Sequence, residues 1–426
     1  MQNYFQHLRQ YSPIRDAFSL YLVLVISTWS LAMIMLMKAD VWDETNALLI
    51  FKTWQENFTY WEALTHIWTQ AVANLYRPLP LSIAYTIDYF MPDRNTSWHV
   101  LRGLNILLLI ATFTQLLLLA RKLSKPSVAQ EIALTLVFFG SGSVIISSGW
   151  FANIFDVFTI FLLLSGIRLL LEKRWKSAFA IISLAFYCKE ISILIFPLVF
   201  FLTWSKSIEV KKGIIFLVFL IASFFIYIAL RQNIVPIGSD KDIHAFDLSS
   251  FPKTLYAWFE SLWWQNTRRE SNTIAFLISI LFFISLKNIK ILICMIGAMV
   301  LCSIIYLGML PYSTEQEFTY LVFQSRLYLI PVVLLLFIAA AWGRAWTLYV
   351  ILVPTLMGGW QTYSDYSIFQ SVYAEIYEKA SASDKQFIVH YPESPLEDNE
   401  RNLLIGNYPD AEYKIDTVNA RLIINQ

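Results

Sequence analysis

Long apolar stretches with almost no charge alternate with short charged breaks along this chain, and that pattern limits its fold more than any other feature. A bilayer core takes roughly 17 to 25 apolar residues per helix, and fewer only where neighbours shield the span. Candidate spans cover 18–37, 98–120, 131–148, 151–171, 213–230, 273–286, 291–309, 327–341 and 345–361. Composition agrees: 57% of the 426 residues are hydrophobic, 16% aromatic and only 15% charged, well below the quarter or so usual in soluble domains. The net charge of +1 gives no electrostatic reason to expect a nucleic-acid partner. The expected fold class is an α-helical polytopic membrane protein.

Positive charge orients the spans, because Lys and Arg mark cytoplasmic loops. The short basic breaks are Arg121/Lys122/Lys125, Lys173/Arg174/Lys176, Lys206/Lys211/Lys212 and Lys287/Lys290, with Arg344 later and Arg9 and Arg15 before the first span. They fall on one side only if 177–204 crosses twice, as a hairpin with Lys189-Glu190 at its outer tip, and if the 13-residue run 79–91 lies outside as a juxtamembrane helix. The count is then about 11 transmembrane helices, N-terminus inside and C-terminus outside, in a multi-pass protein of a plasma or inner membrane. The first span is too long for a cleaved leader and is expected to remain as a signal anchor. Partitioned this way, the inside carries 15 basic and 4 acidic residues and the outside 17 basic and 27 acidic.

The membrane domain is expected over 1–361, with outer loops 38–97 and 231–272, followed by a small extracytoplasmic α/β segment over 362–426. That segment has a predicted helix at 366–380 and strand-like runs at 387–391 and 421–425. Ten tryptophans, from Trp42 to Trp360, gather at the outer interface and four at the inner, an aromatic belt that suits helices lying on the outer leaflet. Phe51, Trp54, Phe58, Trp61 and Trp68 form one such stripe by spacing, against lipid or against the protein. The three cysteines sit in or beside spans and imply neither a disulfide framework nor a CxxC metal site. No internal repeat of fixed period is present, and there is no GxSxG, HExxH or Walker-type loop.

Ionisable groups at the outer ends of membrane helices are few, so each is informative. Asp40, Asp43 and Glu44 crowd three carboxylates into five residues, suited to a general base or a divalent cation, or to capping the following helix through Asp40 or Asp43. In Tyr76-Arg77-Pro78, Pro78 suits a first helical turn, leaving Arg77 to bind a phosphate or to snorkel to headgroups. Asp156 opens the fourth span with no local basic neighbour, so it calls for a buried partner, a catalytic role, or a cap. Lys189 and Glu190 either neutralise each other or serve a submerged, water-filled cavity, and Arg326 opens the tenth span. Carboxylates supply a base, and cations hold a phosphate as it leaves. Together they suit group transfer from a lipid-linked phosphate.

In this order the anchors resemble the GT-C class of membrane glycosyltransferases, especially the protein mannosyltransferases and the bacterial lipid A aminoarabinose transferases. The matching elements are Trp42-Asp43-Glu44-Thr45, Tyr76-Arg77-Pro78-Leu79, Asp156, Cys188-Lys189-Glu190 with Pro197, and Trp98-His99 to Asn105. They cover about 38–205; later only Arg326-Leu327-Tyr328 is similar, with Leu327 in place of a Tyr, while Asn46 stands where the aminoarabinose transferases have Arg. The resemblance implies that Asp43 is the catalytic base, assisted by Glu44. Arg77 and Lys189 would hold the polyprenyl phosphate, and Asp156 would orient the acceptor or, with Asp43, a divalent metal. Arg326 would join Arg77 and Lys189 at the phosphate, and Asp40, Tyr76, His99 and Glu190 would support the site. The implied partners are a polyprenyl-phosphate-linked sugar, a glycan, lipid or protein acceptor, and membrane lipids. A transporter or flippase of an anionic lipid-linked substrate is the main rival reading, and a non-catalytic scaffold the third.

Overall fold

The computed structural model describes residues 13–36, 42–70, 76–150, 153–235, 262–263, 273–286, 289–307, 328–344, 346–381, 386–390, 412–416 and 421–425. The fold is helical. Its elements are α1 (Pro13–Leu36), α2 (Trp42–Asn57), α3 (Tyr60–Thr69), α4 (Pro78–Phe90), α5 (Arg94–Leu123), α6 (Val128–Phe139), α7 (Gly142–Gly149), α8 (Ile154–Leu171), α9 (Trp175–Phe186), a 3₁₀ turn (Glu190–Leu194) and α10 (Ile195–Trp204). Then follow α11 (Val210–Ile234), α12 (Thr273–Ile284), α13 (Ile289–Leu307), α14 (Leu329–Trp342) and α15 (Thr347–Ser381), and strands β1 (Gln386–His390), β2 (Glu412–Asp416) and β3 (Arg421–Asn425).

Among the described residues, four helices are long and apolar enough to cross a membrane: α1, α5, α8 and α11. A fifth candidate is the pair α6–α7, bent by 51°. The expected continuous span over 131–148 is therefore broken, at Gly140-Ser141, where Gly140 ends α6 and Ser141 opens α7. The layering follows from which faces are covered. α14 is apolar all round and buried over nearly its whole length, whereas α1 and α11 turn Leu20, Leu24 and Leu31, and Ile214, Val218 and Phe219, outward. An apolar perimeter of this extent suits a lipid surround, because water would penalise it heavily.

Contacts between helix ends sort the basic breaks. The Arg121 guanidinium lies 5.8 Å from the Phe18 ring centroid, and Ser124 Oγ donates to the Ala340 carbonyl at 2.7 Å. Lys290 Nζ donates to the Trp204 carbonyl at 3.3 Å, and the Arg344 amide to the Ser285 carbonyl at 3.2 Å. These connections share one end of the bundle. The expected hairpin over 177–204 is present: Trp175 of α9 packs on Phe216 at the start of α11, where Thr203 of α10 would also meet a Cβ on Gly213. At the opposite end Phe186 and Phe196 both pack on Phe224, so α9 and α10 run antiparallel.

Three helices at the basic end stop on a left-handed lysine: Lys125 (φ 52°), Lys173 (φ 61°) and Lys206 (φ 59°). After α8, the Lys173 amide donates to Leu170 and the Arg174 amide to Leu169; after α10, Lys206 donates to Thr203 and Ser207 to Leu202. This paired pattern usually has glycine at the left-handed position. A lysine there offsets its backbone cost with a positive charge at the helix's negative end.

Outside the bundle, α2, α3 and α4 pack through Phe51, Trp54, Ala63, Ile67 and Tyr85. The single aromatic stripe expected over 51–68 does not form. Thr59 accepts from the Glu62 amide while Glu62 Oε2 accepts from the Thr59 amide, a capping box that starts a new helix. The Thr59 amide and hydroxyl hold the Glu62 carboxyl below its ordinary range. Phe51 and Trp54 pack inward and Trp61 outward. At the other end of the chain, α15 merges the expected span 345–361 and the expected helix 366–380 into one 35-residue helix. β1 and β3 fall close to the strand-like runs; β2, which sequence reading missed, completes an antiparallel sheet in the order β1-β3-β2.

Candidate functional site

At the end of the bundle opposite the basic breaks, five ionised side chains from four distant stretches meet. Asp156 lies in the first turn of α8, where the helix dipole favours a carboxylate. Lys189 Nζ reaches both its oxygens, at 2.7 Å to Oδ1 and 2.6 Å to Oδ2, and both residues are buried. This is the buried partner that Asp156 lacked locally. Asn153, at the cap position of α8, makes no side-chain capping bond and instead donates to Ser147 Oγ.

Lys189 and Glu190 do not neutralise each other. Lys189 has an extended backbone (φ −163°, ψ 143°), and in extended chain consecutive side chains leave on opposite sides. Glu190 therefore points away from Asp156, and its Oε2 accepts from Arg77 Nη2 at 3.1 Å. Its Oε1 lies 3.6 Å from Arg231 Nε and 3.5 Å from the Tyr227 hydroxyl.

Arg77 precedes Pro78, which takes the first turn of α4 as expected. It does not snorkel: only 7% of the residue is exposed, and its guanidinium stacks 5.3 Å from the Phe155 centroid. Burial opposes its charge, but the Glu190 carboxylate, with Asp156 behind it, holds its pKa above the ordinary arginine value. Its Nε is buried without a hydrogen-bond acceptor. Aromatic contacts frame the pair. The Tyr76 and Tyr227 rings stack at 6.1 Å, Tyr187 meets Tyr227 edge-on at 5.5 Å, and the Tyr227 hydroxyl donates to the Tyr76 carbonyl at 3.2 Å. The Leu79 amide reaches the Tyr187 carbonyl at 3.4 Å, tying α4 to the hairpin tip.

The other expected residues lie elsewhere in the fold or outside the described set. Asp43 and Glu44 lie in the first turn of α2, which starts at Trp42, so Asp43 is inside the helix rather than its cap. Asp40 and Arg326 lie outside the described residues. His99, on α5, is exposed and its ring sits 3.7 Å from that of Trp98. Asn105 donates to the carbonyls of Ser147 and Trp150, at 3.2 and 2.9 Å, joining α5 to the end of α7. Sequence reading missed Arg231 and Tyr227, at the C-terminal end of α11, and Arg102, fully buried with its guanidinium 4.3 Å from the Trp98 centroid. Arg102 had a signal of its own, as a cation within an apolar run.

Among the described residues, no three His, Cys, Asp or Glu side chains converge on a metal position. Both Asp156 oxygens face the Lys189 ammonium. The chain matches no protein-family model, no curated protein and no solved structure.

Proposed function

We propose that this chain is a membrane glycosyltransferase of the GT-C type, moving a sugar from a polyprenyl-phosphate donor to an acceptor on the extracytoplasmic face. The observation that carries the reading is the meeting of Arg77 with Glu190 and of Lys189 with Asp156 at one end of the bundle. Cations of the kind that hold a phosphate cluster beside carboxylates, at the end remote from the basic connections. Asp43 and Glu44 begin the helix that follows the first span, in the same outer layer as α4.

In this reading the chain spans the membrane 11 times, through α1, α5, the bent pair α6–α7, and α8 to α15 in order. α9, α10, α12 and α14 have 12, 10, 12 and 14 residues. At about 1.5 Å per residue they reach roughly 15–21 Å, short of a ~30 Å core. Their neighbours shield them, and the hairpin tip sits below the outer surface.

The chemistry is a single displacement. Asp43 takes the proton from the acceptor hydroxyl or amine, and that atom attacks the anomeric carbon from the face opposite the phosphate. The bond from the anomeric carbon to the phosphate oxygen breaks, and its electrons leave with the polyprenyl phosphate. Arg77 and Lys189 stabilise the leaving charge, and the anomeric configuration inverts. Residence in the outer leaflet suits a carboxylate-rich face and no nucleotide loop.

A transporter of the same anionic lipid is the rival, favoured by the buried Lys189–Asp156 pair, a common form for a coupling site. Purified protein in nanodiscs, given a polyprenyl-phosphate sugar and envelope extract as acceptor source, separates the two. Transfer predicts that wild type releases polyprenyl phosphate and Asp43→Asn does not. Intact donor with both proteins, together with flux that survives Asp43→Asn and stops with Lys189→Met, favours transport.

A further inference from the structure

Glu190 occupies the position that an anion would take. Its carboxylate lies between two guanidiniums, 3.1 Å from Arg77 Nη2 and 3.6 Å from Arg231 Nε, with the Tyr227 hydroxyl at 3.5 Å. Paired guanidiniums are the groups by which proteins bind phosphate. The seat is also larger than a carboxylate needs. Arg77 uses one nitrogen on Glu190 while its Nε, in a residue only 7% exposed, has no acceptor. A phosphate has a further oxygen to give. Glu190 also opens a five-residue 3₁₀ turn at the hairpin tip, the kind of short segment that often marks a hinge. Its side chain remains 17% accessible, whereas those of Asp156 and Lys189 are 3% and 9% accessible.

We infer that Glu190 is an internal stand-in for the phosphate: it neutralises Arg77 and Arg231 in the resting protein, leaves when a polyprenyl phosphate binds, and returns to expel the product phosphate. This rests on the reading of the site as a phosphate seat. A buried guanidinium without a counter-ion is strongly unfavourable, so the exchange of one anion for the other keeps both binding and release accessible. Glu190 is therefore a positioning residue that sets product release. Removing its charge gives tighter anion binding and slower turnover.

The test measures binding of farnesyl phosphate, as a short polyprenyl phosphate, and of inorganic phosphate to wild type, Glu190→Gln, Arg77→Gln and the double variant. Binding of farnesyl phosphate is expected to tighten on the order of tenfold or more in Glu190→Gln, and to be lost in both proteins carrying Arg77→Gln. Thermal unfolding gives an independent readout: Glu190→Gln melts below wild type without anion and gains more than wild type when it is added. If inorganic phosphate shows the same gain, the stand-in role holds for the headgroup alone; a gain only with farnesyl phosphate ties it to the lipid. Where Glu190→Gln does not fold, Glu190→Asp, which keeps the charge but shortens its reach, is expected to show a smaller gain in the same direction. Arg77-dependent binding that is unchanged or weaker in the Glu190 variants overturns the stand-in and leaves the phosphate reading in place. Absence of Arg77-dependent binding in every protein overturns both.

Discussion

Lys189 closes on both carboxylate oxygens of Asp156, at 2.7 and 2.6 Å, and so fixes the tip of the α9–α10 hairpin to the start of α8. With 9% and 3% of the side chains accessible, neither charge has water to fall back on. Breaking such a pair from one side leaves the other charge stranded, at about 3–5 kcal/mol. Lys189→Met and Asp156→Leu are each expected to destabilise by that order, and the combined Lys189→Met/Asp156→Leu protein to recover most of the loss. Thermal unfolding in detergent, run as a double-mutant cycle, checks this. Additive losses in the combined protein would remove the pair as a stability element.

Helix contact at glycine gives a second expectation. A Cβ on Gly359 of α15 would collide with the Gly140 carbonyl oxygen, where α6 ends, so two backbones meet with no room for a side chain, as is common between membrane helices. Gly359→Ala is expected to cost about 1–3 kcal/mol by overpacking. Gly103→Ala and Gly297→Ala, with nothing within 4 Å of the added atom, are expected to be neutral or to gain up to about 1 kcal/mol in helix propensity. Equal effects at all three positions would contradict the packing described.

The left-handed lysines separate backbone from charge. At Lys173 and Lys206, with φ of 61° and 59°, glycine relieves a cost of about 1–2 kcal/mol that any Cβ incurs. Lys173→Gly is expected to raise the melting temperature and Lys173→Ala to leave it unchanged or lower. A gain with alanine as large as with glycine would mean that removal of the charge, and not relief of the backbone, is responsible.

What the sequence made legible follows from which signals are local. The hairpin over 177–204 and the basic end were readable because charge interrupts apolar runs where loops must be, and Pro78 marked the start of α4 by its missing N–H. Partner choice was not readable. Lys189 meets Asp156 and Glu190 meets Arg77 across 33 and 113 residues, and the split between them depends on the extended backbone at Lys189. The aromatic stripe was misread although Thr59-Tyr60-Trp61-Glu62 carries the signature of a capping box, which ends one helix and begins another. The 51° bend between α6 and α7 had only Gly140-Ser141 to announce it. β2, over Glu412–Asp416, is too polar for an apolar-run search to find.

Orientation can be read by labelling. Lys52, exposed on α2, and Ser207, exposed just after α10, sit on opposite sides in the 11-span reading. Single cysteines at these positions are expected to react oppositely with a membrane-impermeant maleimide in intact cells, Lys52→Cys modified and Ser207→Cys protected. The native Cys188 and Cys294 are buried and add little background, and Cys302→Ser removes the third thiol. Both sites labelled, or both protected, would contradict the proposed sorting of charges.

The central claim is that sugar leaves a lipid phosphate through the action of Asp43. Its most direct test is to delete the gene and follow the outer-face glycans, lipids and proteins by mass spectrometry, then restore wild type or Asp43→Asn at matched membrane levels. The account predicts a product lighter by one sugar in the deletion strain, restored by wild type and not by Asp43→Asn. Restoration by Asp43→Asn, or an unchanged envelope after deletion, would contradict it.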